Sequence, residues 1–371
     1  MTTVLRASGS AEFLRMVPSL AGFTPRQSVV LLPFRGARTY GAMRLDLPHD
    51  DVPLERYADA AVGLVARVEG TDAVAVVVYT DEGIQHTRDG LVLPFAVEVD
   101  ELLGCADDDG LRVVDALCVT PEGWSSYLAA EPELRPSAEI EPPAGGGLGD
   151  DVSGDQSAGS GLPTVDLAEK ERVGRALRDL ETALGDGGRE RSGRMNPQAV
   201  AAIAMLENIP AFFESVLRTT EELPPYGTAA LLWCLDRPLF RDVAIVQWGS
   251  DLAGGLRALG AQLAFADAAE VPPDELGDVL LGQGPAPDVE RLRLALSVVR
   301  QAAARAPRAS RPPALTVAAW LSWALGRSTH AGHYLDLVRE IDPHYGLAML
   351  FDEMIGGAML PEWVFRRGPA A

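Results

Sequence analysis

The chain has 371 residues, 47% of them hydrophobic and 23% charged, which is enough apolar material for a sizeable core and enough length for two domains. A net charge of −21 excludes the basic footprint of a general nucleic-acid binder and disfavours binding to an anionic membrane surface. The three cysteines, Cys105, Cys118 and Cys234, are scattered without metal or redox spacing and read as reduced thiols of a cytoplasmic protein.

Arg6, Glu12 and Arg15 interrupt the apolar residues at the N-terminus, so no signal-peptide core is expected. No apolar run approaches the roughly 20 residues of a membrane helix. Lys170 is the one lysine, which leaves a single position for Schiff-base or phosphate-loop lysine chemistry.

In chain order, Ser10 is placed to cap a short helix that runs to Leu20. Val29 to Phe34 is a continuous apolar run, the pattern of a buried strand, and Tyr40 to Leu47 pairs with it across a Gly36 turn. Pro53 opens a helix whose apolar spacing runs from Tyr57 to Val68 and stops at Gly70. Ala73 to Tyr79, reading AVAVVVY, is the strongest strand signal in the chain. A helix follows around Pro94 to Leu103. Strands over Leu111–Val119 and Trp124–Tyr127 flank a Pro121-Glu122-Gly123 turn.

Residues 139 to 163 are dominated by Gly, Ser, Asp and Pro and predict a flexible linker. The rest is helical in pattern. Asp166 with Glu169 is a capping-box variant, and Asn196-Pro197 and Asp236-Arg237-Pro238 mark further helix starts. Asp288 to Ala304 is a long amphipathic helix, and Val243–Trp248 gives a weak strand signal that helix spacing explains equally well. The fold expected is an α/β domain with a mixed sheet and helices (1–138), the linker (139–163), and an all-α, TPR-like domain (164–371). The TPR-like part is one hairpin near 314–341: Ala319, Trp320, Gly326, Ala331 and Asp342-Pro343 follow a single tetratricopeptide unit, with no second copy.

The chain also resembles an actinobacterial family, domain of unknown function 4192. The residues that carry the likeness are Gly22-Phe23-Thr24-Pro25 with Ser28, Arg44-Leu45-Asp46, the strand ending at Tyr79, and Trp124-Ser125-Ser126-Tyr127. Arg241-Asp242 and Ala319-Trp320 through Gly326 with Asp342-Pro343 extend it to the C-terminal half. The resemblance implies an organisation and no activity, so it transfers no catalytic residue.

The common catalytic signatures, from the phosphate loop to the metalloprotease helix and the nucleophile elbow, do not occur. No cofactor is therefore expected, and no metal. Arg44 and Asp46 alternate with apolar neighbours, so both point to one face of a strand, as a site pair or as a structural ion pair. Asp81 follows the buried strand directly, where open α/β sheets place their ligands; a solvated Asp-Glu-Gly turn is the plainer reading. Arg26 and Ser28 flank the first strand and either bind an anion or fix the turn after Pro25. Trp124 and Tyr127 suit a pocket or interface, or simply close the core.

His330, His333 and Asp336 share a helix face with only His344 nearby, a solvated helix start rather than a metal site. Asp107–Asp109 reads as a turn. The arginine run at 291, 293, 300, 305, 308 and 311 either binds nucleic acid locally or, the preferred reading, faces a partner protein or other parts of the chain, including the acidic stretch Glu98–Asp109. Trp320 and Trp323 share a helix face and serve as partner anchors or as core. The function expected is a non-catalytic protein-interaction or ligand-binding module with a protein partner. The alternative is a hydrolase or transferase acting on a small polar or phosphorylated molecule through Asp46 and Asp81.

Overall fold

The computed structural model describes residues 7–39, 41–49, 51–88, 90–141, 154–185, 196–219, 222–268 and 274–366. The chain divides into two compact units, Met1–Ala158 and Gly159–Ala371.

The N-terminal unit is a three-layer α/β sandwich. Its strands are β1 (Ser28–Arg35), β2 (Arg38–Thr39), β3 (Met43–Asp46), β4 (Ala73–Tyr79), β5 (Gln85–Thr87), β6 (Gly90–Val92), β7 (Arg112–Thr120) and β8 (Gly123–Ser126). Its helices are α1 (Ser10–Ala21), α2 (Leu54–Ala66) and α3 (Ala96–Asp108). The main sheet runs β2-β1-β4-β7-β8, with β3 beside β1, while β5 and β6 form a separate hairpin. It is mixed: β1 and β4 are antiparallel, β4 and β7 parallel, β7 and β8 antiparallel.

Strand alternation explains the two cores. Val74, Val76 and Val78 face α2 and α3, packing on Ala58, Val62, Val65, Val99 and Leu102. Ala73, Ala75, Val77 and Tyr79 face the other way, toward Phe13, Leu14 and Val17 of α1. With both faces covered, an uninterrupted β-branched run is the stable choice for the central strand, and all seven residues of β4 are buried.

One local expectation is corrected. Helix α1 is capped by Gly9 without a side-chain bond, and the Ser10 hydroxyl instead donates to Asp115 Oδ2 at 2.7 Å. A register shift in β7 beside Val74 and Ala75 sets Asp115 opposite Ala75.

Residues 142–153 of the expected linker lie outside the described residues. On one side of them Ser137–Glu139 forms a 3-10 turn. On the other, Thr24 bridges Asp155, and the Thr24 amide donates to the Gly154 carbonyl at 2.9 Å. Gly154 and Gly159 both take positive φ, so the glycines that suggested a linker also let this segment turn back and pair its backbone.

The C-terminal unit is all helical among the described residues. Its helices are α4 (Leu167–Gly185), α5 (Pro197–Leu206), α6 (Ile209–Leu217), α7 (Pro225–Leu235), α8 (Pro238–Gly249), α9 (Leu252–Ala268), α10 (Asp274–Leu280), α11 (Val289–Arg305), α12 (Pro312–Ala324), α13 (Ser328–Arg339), α14 (Gly346–Gly356) and α15 (Glu362–Phe365). Helix α12 is the hub, buried along its whole length against α7, α8, α11, α13 and α14. A helix that is apolar all round belongs in the middle of a bundle. No single described helix is long and apolar enough to cross a membrane.

Candidate functional site

Five of the residues singled out in the N-terminal half come to one edge of the sheet. Antiparallel pairing sets Ser28, the first residue of β1, opposite Asp46 at the end of β3 and opposite Tyr79 at the end of β4. Asp46 and Tyr79 are thus two strands apart, about 9.5 Å at the usual strand spacing. Strands β3, β4 and β7 all end here, so the loops that follow them open on the same side. This is the ligand side of an open α/β sheet.

The side chains on this edge are organised by short contacts. Ser28 is fully buried, and its hydroxyl donates to the Arg26 carbonyl at 2.6 Å. Between them Gln27 takes φ +44, a left-handed conformation that bulky residues rarely adopt. That twist brings its side-chain carbonyl to the Asp81 amide at 2.9 Å. Arg26 lies 3.7 Å from the Asp81 carboxylate, with both side chains more than half exposed.

Arg44 reaches Asp46 at 2.5 Å; the guanidinium is mostly covered and the carboxylate mostly open. Tyr57 donates to the Asp46 carbonyl at 2.8 Å, and burial followed by the Asp46 carboxylate raises its phenol above the ordinary value. Gln156 clamps the Arg26 backbone from outside, accepting from its amide at 3.1 Å and donating to its carbonyl at 2.8 Å. Bonds from Ser157, together with the nearby Arg26, hold Asp155 below the usual carboxylate value.

Arg26, Ser28, Arg44, Asp46 and Asp81 therefore share an edge. Ser28 fixes the entry turn and is sealed from solvent, whereas Asp46 and Asp81 are open to it. Gln27, Tyr57, Asp155 and Gln156 join them without any sequence signal. Gln27 and Tyr57 have no motif, and Asp155 and Gln156 sit in a stretch whose composition predicts no structure.

Trp124 and Tyr127 belong to the body of the unit. Trp124 is buried in the core on the α1 side, under the Arg135 guanidinium at 5.2 Å from its ring, and Tyr127 donates to the Pro94 carbonyl at 2.6 Å. The Trp124 indole N–H and the Ser125 hydroxyl are buried without a hydrogen-bond partner among the described residues.

In the helical unit, Trp320 is a core residue and is not open to a partner. It is 1% exposed, with its indole N–H donating to the Leu280 carbonyl at 3.0 Å. Trp323 is equally buried and donates to the Met359 carbonyl at 2.7 Å, while Trp363 packs edge-on against its ring. Three residues apart on a hub helix, both indoles meet other helices.

Several arginines of the run have partners inside this unit. Arg291 pairs with Glu214, Arg305 with Glu169, and Arg308 donates to the Glu340 carbonyl. Arg241, whose neighbour Asp242 had no assigned role, is buried and bonds both Asp242 at 3.0 Å and the Tyr345 hydroxyl at 2.9 Å. An open depression of about 330 Å³ lies on α4, lined by Lys170, Glu171, Gly174, Arg175, Arg178 and Pro307. Among the described residues no group of three His, Cys, Asp or Glu is placed to hold a metal ion.

No curated protein and no solved structure matches the chain. The family model of a domain of unknown function, DUF4192, matches residues 11–271 and 283–362, so that both the charged sheet edge and the tryptophan hub fall within it, and the chain belongs to that family.

Proposed function

We propose that the protein is a non-catalytic binding module whose N-terminal unit takes a small polar ligand at the charged edge of its sheet. The observation that carries this reading is the strand register, which sets Asp46 and Tyr79 on either side of Ser28 and so gathers Arg26, Arg44, Asp46 and Asp81 on one side of the sheet. Each guanidinium there already has a carboxylate beside it. Such pairs offer a polar molecule donors and acceptors together.

The thiols support the same reading. Burial pushes Cys118 up to about 11, and burial also raises Cys105 and Cys234, so none is an activated nucleophile at neutral pH. Free cysteines and the absence of a membrane-spanning single helix among the described residues fit a cytoplasmic location.

A protein partner is the second reading, favoured by β3. It pairs only with β1 among the described residues, which leaves its outer edge able to accept an added strand. The α12–α13 hairpin remains TPR-like in sequence, but a groove of that kind needs one face of its first helix open, and α12 is buried throughout.

The test is a metabolite panel scored by thermal shift and then by calorimetry on the wild type, Arg26→Gln and Asp81→Asn. The reading requires a compound that binds the wild type, is not consumed, and binds each variant at least about tenfold more weakly, the cost of one charge-assisted contact. Turnover that disappears in Asp81→Asn would instead establish the hydrolase or transferase alternative. Binding by all three proteins at equal strength would place the site elsewhere.

A further inference from the structure

We infer that the helical unit holds a separate anion site, in which a phosphate-type oxyanion is bound among Arg293, Arg300, Arg327 and Tyr334. These residues come from two helices that both pack on α12. Arg293 and Arg300 stand seven apart on α11, so they share a face. Arg327 is the N-cap of α13, and Tyr334 lies seven residues further on, again on one face. Arg327 is within electrostatic range of Arg293, Arg300 and the Tyr334 hydroxyl, and Arg300 acts on the same hydroxyl.

Two observations point to a ligand. The first is unmatched polarity. Tyr334 is fully buried, yet its hydroxyl has no hydrogen-bond partner among the described residues, and neither has the buried Arg300 Nε. Folded interiors leave few such atoms unpaired. The second is unmatched charge. Arg293 and Arg300 both lie within electrostatic range of Arg327 in a protein of net charge −21. Arg293 pairs only with Glu290 on its own helix, at the exposed rim. Arg327 has no ion pair among the described residues, and partial desolvation of its guanidinium, followed by its two cationic neighbours, holds it below the ordinary arginine value.

The arrangement suits a phosphoryl group. Arg300 is fixed in place, its Nη2 donating to the carbonyls of Gly159 at 2.6 Å and Gly161 at 2.5 Å. Helix α13, twelve residues long, starts without a side-chain cap. The guanidinium forks are donors whose geometry fits tetrahedral oxygens, and a dianion compensates more of the gathered charge than a carboxylate does. Arg327 is exposed and is the group a ligand meets first. This site is independent of the sheet edge in the N-terminal unit.

The experiment titrates the full chain with inorganic phosphate and, separately, with phenyl phosphate. Heat is measured at constant ionic strength, with sodium chloride as the control. The wild type is expected to bind at least one of the two. Arg327→Gln, a change at an exposed side chain, is expected to weaken that binding at least about tenfold, as loss of a charge-assisted hydrogen bond does. It should also keep or raise the melting temperature without ligand, since it removes one of three neighbouring cations. Tyr334→Phe, which keeps the ring and deletes the unpaired hydroxyl, provides the second variant and should weaken binding without unfolding the protein. Tighter binding of phenyl phosphate would identify a phosphomonoester ligand, and tighter binding of phosphate the free ion. Absence of binding by the wild type in both arms, or wild-type affinity in Arg327→Gln, would overturn the proposal.

Discussion

At the residue scale, the helical unit is stabilised by large side chains and by ion pairs that are largely covered, and the two respond to different perturbations. Trp320→Ala removes a fully buried ring from the hub and is expected to cost about 3–5 kcal/mol, measured by chemical denaturation. An unchanged melting temperature would show that the hub tolerates the cavity. Glu214 is a pH-sensitive counterpart. Its bonds from Arg291 outweigh its desolvation and, with help from Gln247, hold its carboxyl below the usual value of 4.5. A carboxyl whose folded value is depressed adds stability above its unfolded value and loses it as the pH falls through the folded one. Stability should therefore decline as the pH drops below about 4.5, and Glu214→Gln should flatten that part of the profile. A variant whose acid transition has the wild-type slope would assign the loss to other groups.

At the element scale, β4 decides whether the N-terminal unit folds. Its neighbours are strands on both sides, and its two faces serve two different cores. Val76 is 1% exposed and points toward α2 and α3, among buried aliphatic residues of the surrounding core. Val76→Asp should abolish soluble expression, because an unpaired buried charge costs several kcal/mol, comparable with the stability of a whole domain. A soluble variant with a cooperative unfolding transition would refute this placement of β4. The edge residues Arg26 and Asp81 hang from the ends of the same strands. Their exposure predicts that Arg26→Gln and Asp81→Asn fold normally, which makes them usable probes of binding.

At the scale of the whole molecule, composition predicts that a protease cuts first between residues 139 and 163. Gly154 to Gly161 is tied down by the Thr24 bridge, by Gln156 on Arg26, and by Arg300 on the carbonyls of Gly159 and Gly161. The first cut is therefore expected upstream of Gly154, with slower cleavage within 154–161. Expressed separately, residues 1–158 and 159–371 should each unfold cooperatively, since each has its own core. First cleavage inside either core, or failure of both pieces to fold, would show that the two units depend on each other.

The sequence by itself determined several of the elements. A run such as AVAVVVY is stable only when covered on both faces, and proline beside a capping residue starts a helix wherever the chain goes, so β4 and α5 were legible from local pattern alone; α8 also opens at its proline, but its N-cap is Arg237, without a side-chain bond, and not Asp236. It also marked Arg44, Asp46 and Asp81, because strand alternation and the end of a strand are local properties. Only the tertiary structure decided which of these residues meet, since pairing register is set by partners far along the chain. Ser28 lies between Asp46 and Tyr79 for that reason. Gln27 reaches Asp81, and Gln156 reaches Arg26 across 130 residues, with no local signal to announce either contact. The same limit applies to Trp320 and Trp323: helix spacing shows that they share a face, and only the packing of α10, α14, α15 and their connecting segments makes that face the inside of the molecule.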